Sequence, residues 1–348
     1  MKNKFYTIEL LRFFSSISVI LYHYKIGFAW DKGFVNSEKL INILPFYENI
    51  NLLYNYGFYG VQMFFLISGY VFAHIYINRD ELIEAKEFFI NRFARLYPLH
   101  FFTLLLIFLY YLVDQEFISS QFNVERSRFF DIYHFFLNIF FIQSWGFEKG
   151  LSFNAPTWSV SVEIGVYISF FLCLKLLRKF KIFFSLFIIS LLFILYKIQI
   201  LNFKYNEFVL LFYIGISIYQ IPIKTYTKTY FIISIILIAA SFYGRNFKIL
   251  LFCPGVLILS VLLDSYIKNI KIKNLFSILG GTTYSLYLLH YPVMIVALWL
   301  ESKYGSFENF YENNNFILFY FLFLMIISIC SYHFMEAPLN KKIRKRYL

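Results

Sequence analysis

The sequence predicts an all-α protein that crosses a membrane many times, on three observations. Hydrophobic residues fill 60% and charged residues 15% of its 348 positions, too little polar surface to cover a soluble fold of that size. The apolar residues gather in runs of about 20, the length a helix needs to cross the hydrocarbon layer. The 32 Lys and Arg sit in short clusters between those runs, the pattern that orients membrane helices. That distribution, rather than contact with nucleic acid, accounts for the net charge of +12. The three cysteines, Cys173, Cys253 and Cys330, all fall inside apolar runs, so neither a disulfide framework nor a metal site is expected.

Taken in order, the expected spans are 8–29, 55–77, 99–113, 157–177, 182–200, 206–221, 229–243, 248–265, 280–300 and 315–335. The first follows a basic start at Lys2 and Lys4, as a signal peptide would. However, it carries Arg12 and His23, is too long for such a segment and lacks a small-residue cleavage site, so it reads as a retained helix. The stretch 129–145 is short and holds Asp131, His134 and Asn138. If it does not span, the clusters at 178–181, 224–228, 268–273 and 341–346 all fall on the side of the N-terminus, together with 78–98. The acidic and polar stretch 301–315 then faces outward. The positive-inside rule therefore favours about ten transmembrane helices with both termini cytoplasmic. Residues 114–156 become a long outer loop with an interfacial or re-entrant helix. There is no internal repeat, and residues 1–348 are expected to form a single integral-membrane domain.

Ionisable residues inside apolar runs are costly and mark function. In "IELLRFFSSISVILYHY", Arg12 and His23 lie eleven residues apart, on nearly one helical face and about 16 Å apart along the axis. With Ser16 and Val19 they form a stripe across most of the bilayer. Histidine suits proton transfer near neutral pH; snorkelling of Arg12 and a helix-packing bond for His23 are the structural alternative. "GVQMFFLISGYVF" places Ser68 and Gly69 in mid-span, where small residues admit a close neighbour. In "NRFARLYP", Arg92 and Arg95 share a helical face at the inner surface and suit a phosphate or pyrophosphate, or else anchor the topology. Pro98 would bend or restart the chain there.

In "NAPTWSVSVEIGVY", Pro156 suits a first helical turn, and Ser159, Glu163 and Tyr167 recur on one face. Glu163 is expected at a depth matching His23, where a carboxylate would fix the imidazole tautomer or form a structural bridge. "YSLYLLHYPV" sets His290 in mid-span before Pro292, as a second polar lining residue or a packing contact. Glu336 is expected beside Arg92 or Arg95, and His74, His100 and His134 at interfaces.

The ordered set "LRFFSSISVILYHY", "GFYGVQMFFLISGYVF", "RFARLYP", "TWSVSVEIGVY", "YSLYLLHYPV" and "EAP" resembles the acyltransferase-3 family, integral-membrane acyltransferases of bacterial cell-envelope polysaccharides. The likeness covers about residues 5–340. It implies an essential histidine at His23, with Arg12 as its helix partner in the donor path. It implies Arg92 and Arg95 as the pair that meets coenzyme A phosphates, and Glu163 with Ser159 and Ser161 as a polar cluster opposite the histidine. The chain stops soon after its last span, which looks like the stand-alone type without a fused esterase-like domain. Family members often carry a second carboxylate after Ser-Val; here Glu163 is followed by Ile164, Gly165, Val166 and Tyr167, so no role for it is carried over.

The expectation is an O-acyltransferase of the bacterial inner membrane, drawing on acetyl-CoA, with no metal. The acceptor would be a cell-surface glycan such as O-antigen, capsule or peptidoglycan. His23, Glu163 and Arg12 are the candidate catalytic groups. Arg92, Arg95, Arg12 and Ser68 are candidates for the donor, and Ser159, Ser161, Tyr167 and His290 for the acceptor. His23 is expected as general base, with an acyl-histidine route as the alternative. The rival function is a secondary transporter or flippase with a His23–Glu163 proton relay, against which the missing repeat counts. An assembly partner with a dead site is a third reading.

Overall fold

The computed structural model describes residues 4–31, 44–114, 129–198, 205–243, 248–304 and 310–348. Among these the secondary structure is helical throughout, with no strand. The helices are α1 (Tyr6–Asp31), α2 (Tyr47–Tyr56), α3 (Gly60–Phe72), α4 (Ala85–Val113), α5 (Ile132–Ile139), α6 (Trp158–Phe180) and α7 (Ile182–Lys197). They continue as α8 (Asn206–Gln220), α9 (Thr227–Tyr243), α10 (Lys248–Leu263), α11 (Ile270–Tyr304), α12 (Asn314–Ser331) and α13 (Ala337–Tyr347). Six described stretches are long and apolar enough to cross a bilayer: Tyr47–Ile77, Ala85–Val113, Ala155–Phe180, Lys248–Tyr266, Ile270–Glu301 and Asn314–Tyr347. Ile182–Lys197 and Thr227–Tyr243 are shorter apolar helices. Lys2, residues 115–128 of the expected outer loop and residues 305–309 of the next lie outside the described residues.

The chain divides into two compact units interleaved in sequence. The first comprises Met1–Ser15, Tyr59–Ala85 and Gly165–Gly281. Its core is the crossing of α3 and α8, made close by two glycines. A Cβ on Gly69 would lie 1.9 Å from the Phe212 carbonyl oxygen, and one on Gly215 would lie 2.0 Å from that of Leu66. Each backbone thus occupies the space a side chain would need, the small-residue packing that membrane helices use. Leu66, Ile67, Tyr70, Leu211 and Leu257 close the core around it. The start of α1 is held by Asp264, whose carboxylate accepts the Thr7 backbone N–H at 3.0 Å. A carboxylate there satisfies a first-turn donor and complements the helix dipole. Between α6 and α7 the chain turns on a single residue, Lys181, at φ 49°.

The second unit comprises Ser16–Phe58, Lys86–Ile164 and Thr282–Leu348. Two prolines shape it. Pro98 lies inside α4, which runs unbroken from Ala85 to Val113, whereas the sequence predicts a span that starts at 99. The ring removes one N–H and disturbs one turn, but the flanking helical residues keep their bonds. Nearby, the Tyr284 hydroxyl of α11 donates to the Leu96 carbonyl at 2.7 Å and ties the two helices together. Pro292 lies inside α11 and deprives the Leu288 carbonyl, four residues back, of its helical donor. The Asn154 side-chain amide supplies that donor at 3.0 Å and also donates to Thr103 Oγ1 at 3.1 Å. One buried asparagine therefore ties the turn before α6 to α4 and α11, as a freed carbonyl in a membrane helix requires.

Candidate functional site

The site is built in the second unit on the C-terminal half of α1, the start of α6 and the middle of α11. As expected, Pro156 opens α6, in a 3-10 turn at Ala155–Thr157. That turn sets the Pro156 carbonyl where the Tyr287 hydroxyl of α11 donates to it at 2.9 Å. Ser159 Oγ lies 2.7 Å from the same tyrosine oxygen and 3.1 Å from the Pro156 carbonyl oxygen, so the two hydroxyls and the carbonyl form one hydrogen-bonded cluster. Glu163, one turn further along α6 and half-buried, is within electrostatic reach of Tyr287.

His23, half-buried on α1, has His290 as a partner. His23 Nδ1 and His290 Nε2 are 3.0 Å apart, and the rings stack at 28° with centroids 4.9 Å apart. His290 is fully buried. Its backbone carbonyl accepts the Tyr320 hydroxyl of α12 at 3.0 Å, and its ring lies 5.8 Å from that of Tyr287. Tyr22 packs edge-on against His23 at 5.7 Å and contacts Phe58, which stacks on Trp158 at the head of α6. The result is an imidazole pair walled by aromatic rings. Such a pair can accept and pass one proton within an apolar unit.

The other sequence candidates fall in several places. Ser161 is fully buried and its hydroxyl is engaged: it donates to the Phe141 carbonyl at 2.6 Å and accepts the Ser144 N–H at 3.1 Å. It pins the chain at 141–145, where Phe141 holds φ 58°, and the indole of Trp145 donates to the Ser161 carbonyl at 3.0 Å. Arg92 is half-buried and Arg95 exposed on α4. Arg95 is within electrostatic reach of the Glu336 carboxylate, which accepts the Ser285 hydroxyl. Arg12, Ser68 and Tyr167 belong to the first unit. Arg12 shares the unbroken helix α1 with His23 and pairs with Glu9 at 3.2 Å. Gly280 makes room for that glutamate, since a Cβ there would lie 2.0 Å from its Oε2. Tyr167 stacks on Phe72 at 4.4 Å.

Two histidines assigned to interfaces are buried within the protein. His100 Nε2 donates to the Asn138 carbonyl at 2.8 Å. His134 is held by Asp131, which accepts its ring Nδ1–H at 2.8 Å and its backbone N–H at 2.7 Å, capping α5. Burial alone would raise the Asp131 carboxyl, but these bonds outweigh it and hold the group below its ordinary value. His74 lies 3.4 Å from the Tyr219 hydroxyl in the first unit. Sequence reasoning did not single out Asn154, Tyr287 or Tyr320. Asn154 had a signal, because Pro292 demands a donor for the carbonyl at 288; the two tyrosines were hidden among the 30 of the chain.

Residues 5–335 match the family model of the acyltransferase domain, Acyl_transf_3. Among similar proteins, the peptidoglycan O-acetyltransferase OatA of Listeria monocytogenes is 25% identical over 169 residues, 47% of this chain and 23% of that protein. Acyltransferase MdmB of Streptomyces mycarofaciens is 32% identical over 127 residues, 35% of this chain and 30% of its own. The O-acetyltransferase OatA of Staphylococcus aureus is 23% identical over 385 residues, covering 95% of this chain and 56% of that protein. The chain thus spans little more than half of the last and smaller shares of the other two. No solved structure matches it. The family match covers nearly the whole chain and takes in the paired histidines, so this membrane-embedded protein belongs to the acyltransferase-3 family.

Proposed function

We propose that this chain is a membrane O-acyltransferase of the bacterial cytoplasmic membrane. It would move an acetyl group from cytoplasmic acetyl-CoA to a hydroxyl of a cell-wall glycan on the far side. The observation that carries this reading is His23, half-buried and bonded to a second histidine inside an apolar helical unit. Family membership supports acyl transfer, and the names of the Listeria and Staphylococcus proteins support acetyl as the group and peptidoglycan as the acceptor class. About ten spans with both termini cytoplasmic would put the arginines on the donor side.

His23 takes the proton of the acceptor hydroxyl as its oxygen attacks the thioester carbonyl. The tetrahedral intermediate collapses, the carbon–sulfur bond breaks, and the proton passes to the departing thiolate. Arg92 and Arg95 hold the coenzyme A phosphates. Glu163 offsets the charge that develops on the imidazole. Ser159 and Tyr287 shape the acceptor side.

The test is purified protein in lipid nanodiscs with radiolabelled acetyl-CoA and a chito-oligosaccharide as acceptor. Label should appear on the sugar and disappear with His23→Ala, in a variant that inserts normally. Full activity in that variant removes His23 from the chemistry. Proton-coupled uptake of the sugar into proteoliposomes without label transfer would instead support the transporter reading.

A further inference from the structure

We propose that the first unit carries a binding site for a zwitterionic phospholipid headgroup, one that bears a phosphate and a primary ammonium. The site is a cavity of about 620 Å³ lined by His74, Asn78, Arg79, Asp80, Glu81 and Tyr219. None of these residues has a part in the acyl transfer proposed above.

Three helices of the first unit end at this cavity. α3 runs on through a π-helical turn, Ala73–Ile77, that carries His74, and the chain leaves the helix at Asn78. α8 ends with Tyr219 and Gln220, and the last turn of α6 holds Arg178. Tyr219 is the joint between two of them. Its hydroxyl accepts the Asn78 side-chain amide at 2.9 Å and lies 3.4 Å from His74 Nδ1. From α6, the Arg178 guanidinium donates to the backbone carbonyls of Arg79 and Asp80, so the turn that bears the charges is held from behind. A cleft whose walls are already bonded to one another loses little freedom when a ligand enters.

Depth selects the source of the ligand. Two of the stretches long enough to cross a bilayer, Tyr47–Ile77 and Ala155–Phe180, stop at this level, so the cavity opens where hydrocarbon gives way to headgroups. On α6, Leu172, Leu176 and Phe180 are exposed at four-residue spacing and form an apolar ridge for acyl chains on the hydrocarbon side. Charge selects the headgroup. The lining holds one guanidinium and two carboxylates, and Arg178 stands behind it. A polyanion would meet the carboxylates, and a lone cation would meet the arginines. A molecule that carries both charges satisfies both. Its phosphate lies against Arg79, whose five N–H donors serve a protein neighbour and a ligand at once. Its ammonium lies against the exposed Asp80 and Glu81. A primary ammonium donates three hydrogen bonds, whereas a trimethylammonium has none to give, so the site separates ethanolamine from choline headgroups.

The test is native mass spectrometry of the full chain in a mild detergent. The protein is titrated in turn with phosphatidylethanolamine, phosphatidylcholine and phosphatidylglycerol of matched chains. The ethanolamine lipid should bind about tenfold more tightly than either of the others. Equal affinity for the ethanolamine and choline lipids, or a preference for phosphatidylglycerol, overturns the proposal. Asp80→Asn with Glu81→Gln changes exposed side chains only and should leave the fold intact. In that variant the ethanolamine lipid should fall to the level of the choline lipid; a preference that survives there overturns the proposal. Arg79→Ala should weaken both lipids about tenfold, and unchanged binding again overturns it. Glycerophosphoethanolamine, the headgroup without its chains, separates a lipid from a soluble phosphate ester. Displacement of the lipid should need about 100-fold more of it, because the chains add affinity with each buried methylene. Displacement at equal concentration overturns the lipid assignment.

Discussion

Replacing Asn154 isolates the bond that makes a proline tolerable in the middle of α11. In Asn154→Ala the Leu288 carbonyl, already without its helical donor because of Pro292, loses the amide that stands 3.0 Å away. A buried acceptor left unpaired costs about 1–3 kcal/mol. The bond to Thr103 Oγ1 is also lost, at less cost, because that hydroxyl still donates to the His100 carbonyl at 3.0 Å. One term runs the other way, since Asn154 Oδ1 is buried without a partner among the described residues and leaves with the side chain. A net loss of roughly 2 kcal/mol follows. The decisive comparison is a double-mutant cycle with Pro292→Ala, which returns an N–H to the helix at the position Leu288 requires. In that background Asn154→Ala should cost about 1 kcal/mol less, in the upper part of the range known for interhelical bonds in membranes. The assay is equilibrium unfolding in mixed micelles of a mild detergent and dodecyl sulfate, followed by helical circular dichroism. An identical cost of Asn154→Ala in both backgrounds would refute the reasoning, because the amide would then not be replacing the helical donor.

Three further outcomes are expected. Gly69→Ala drives a methyl into the Phe212 carbonyl, so α3 and α8 must separate; a loss of about 1–3 kcal/mol should register in the same unfolding assay. Asp131 lies below its ordinary carboxylate value when folded, so its stabilising effect is present above the unfolded value and is lost as pH falls through the folded one. Asp131→Asn should therefore be less stable than the parent near neutral pH and converge with it in acid, as melting curves across that range would reveal. Arg92→Ala with Arg95→Ala should raise the KM for acetyl-CoA about tenfold or more while kcat changes little, measured by initial rates; an unchanged KM returns both arginines to topology anchoring.

Much of this protein was legible one helix at a time. Apolar runs of membrane length, the basic clusters between them and the conspicuous polarity of Arg12, His23, Glu163 and His290 are local properties of the chain. So are Pro156 at the head of α6 and Gly69 at a close crossing, because each depends on the backbone freedom of one residue. Partnership is another matter. Periodicity along a helix yields a depth and a face, but not the neighbour that meets it. Which residue stands at a given depth on the neighbouring helix depends on how the helices are packed and rotated, and that is settled by the whole set of side chains between them. His23 and His290 stand 267 positions apart, and nothing local links them. The same limit hid Asn154 behind Leu288 and committed Ser161 to the chain at 141–145. The composition of one helix thus says that a polar group must be satisfied, while only the packed structure says by whom, since a hydrogen bond is decided over about 3 Å and a helix pattern does not resolve that distance across a gap.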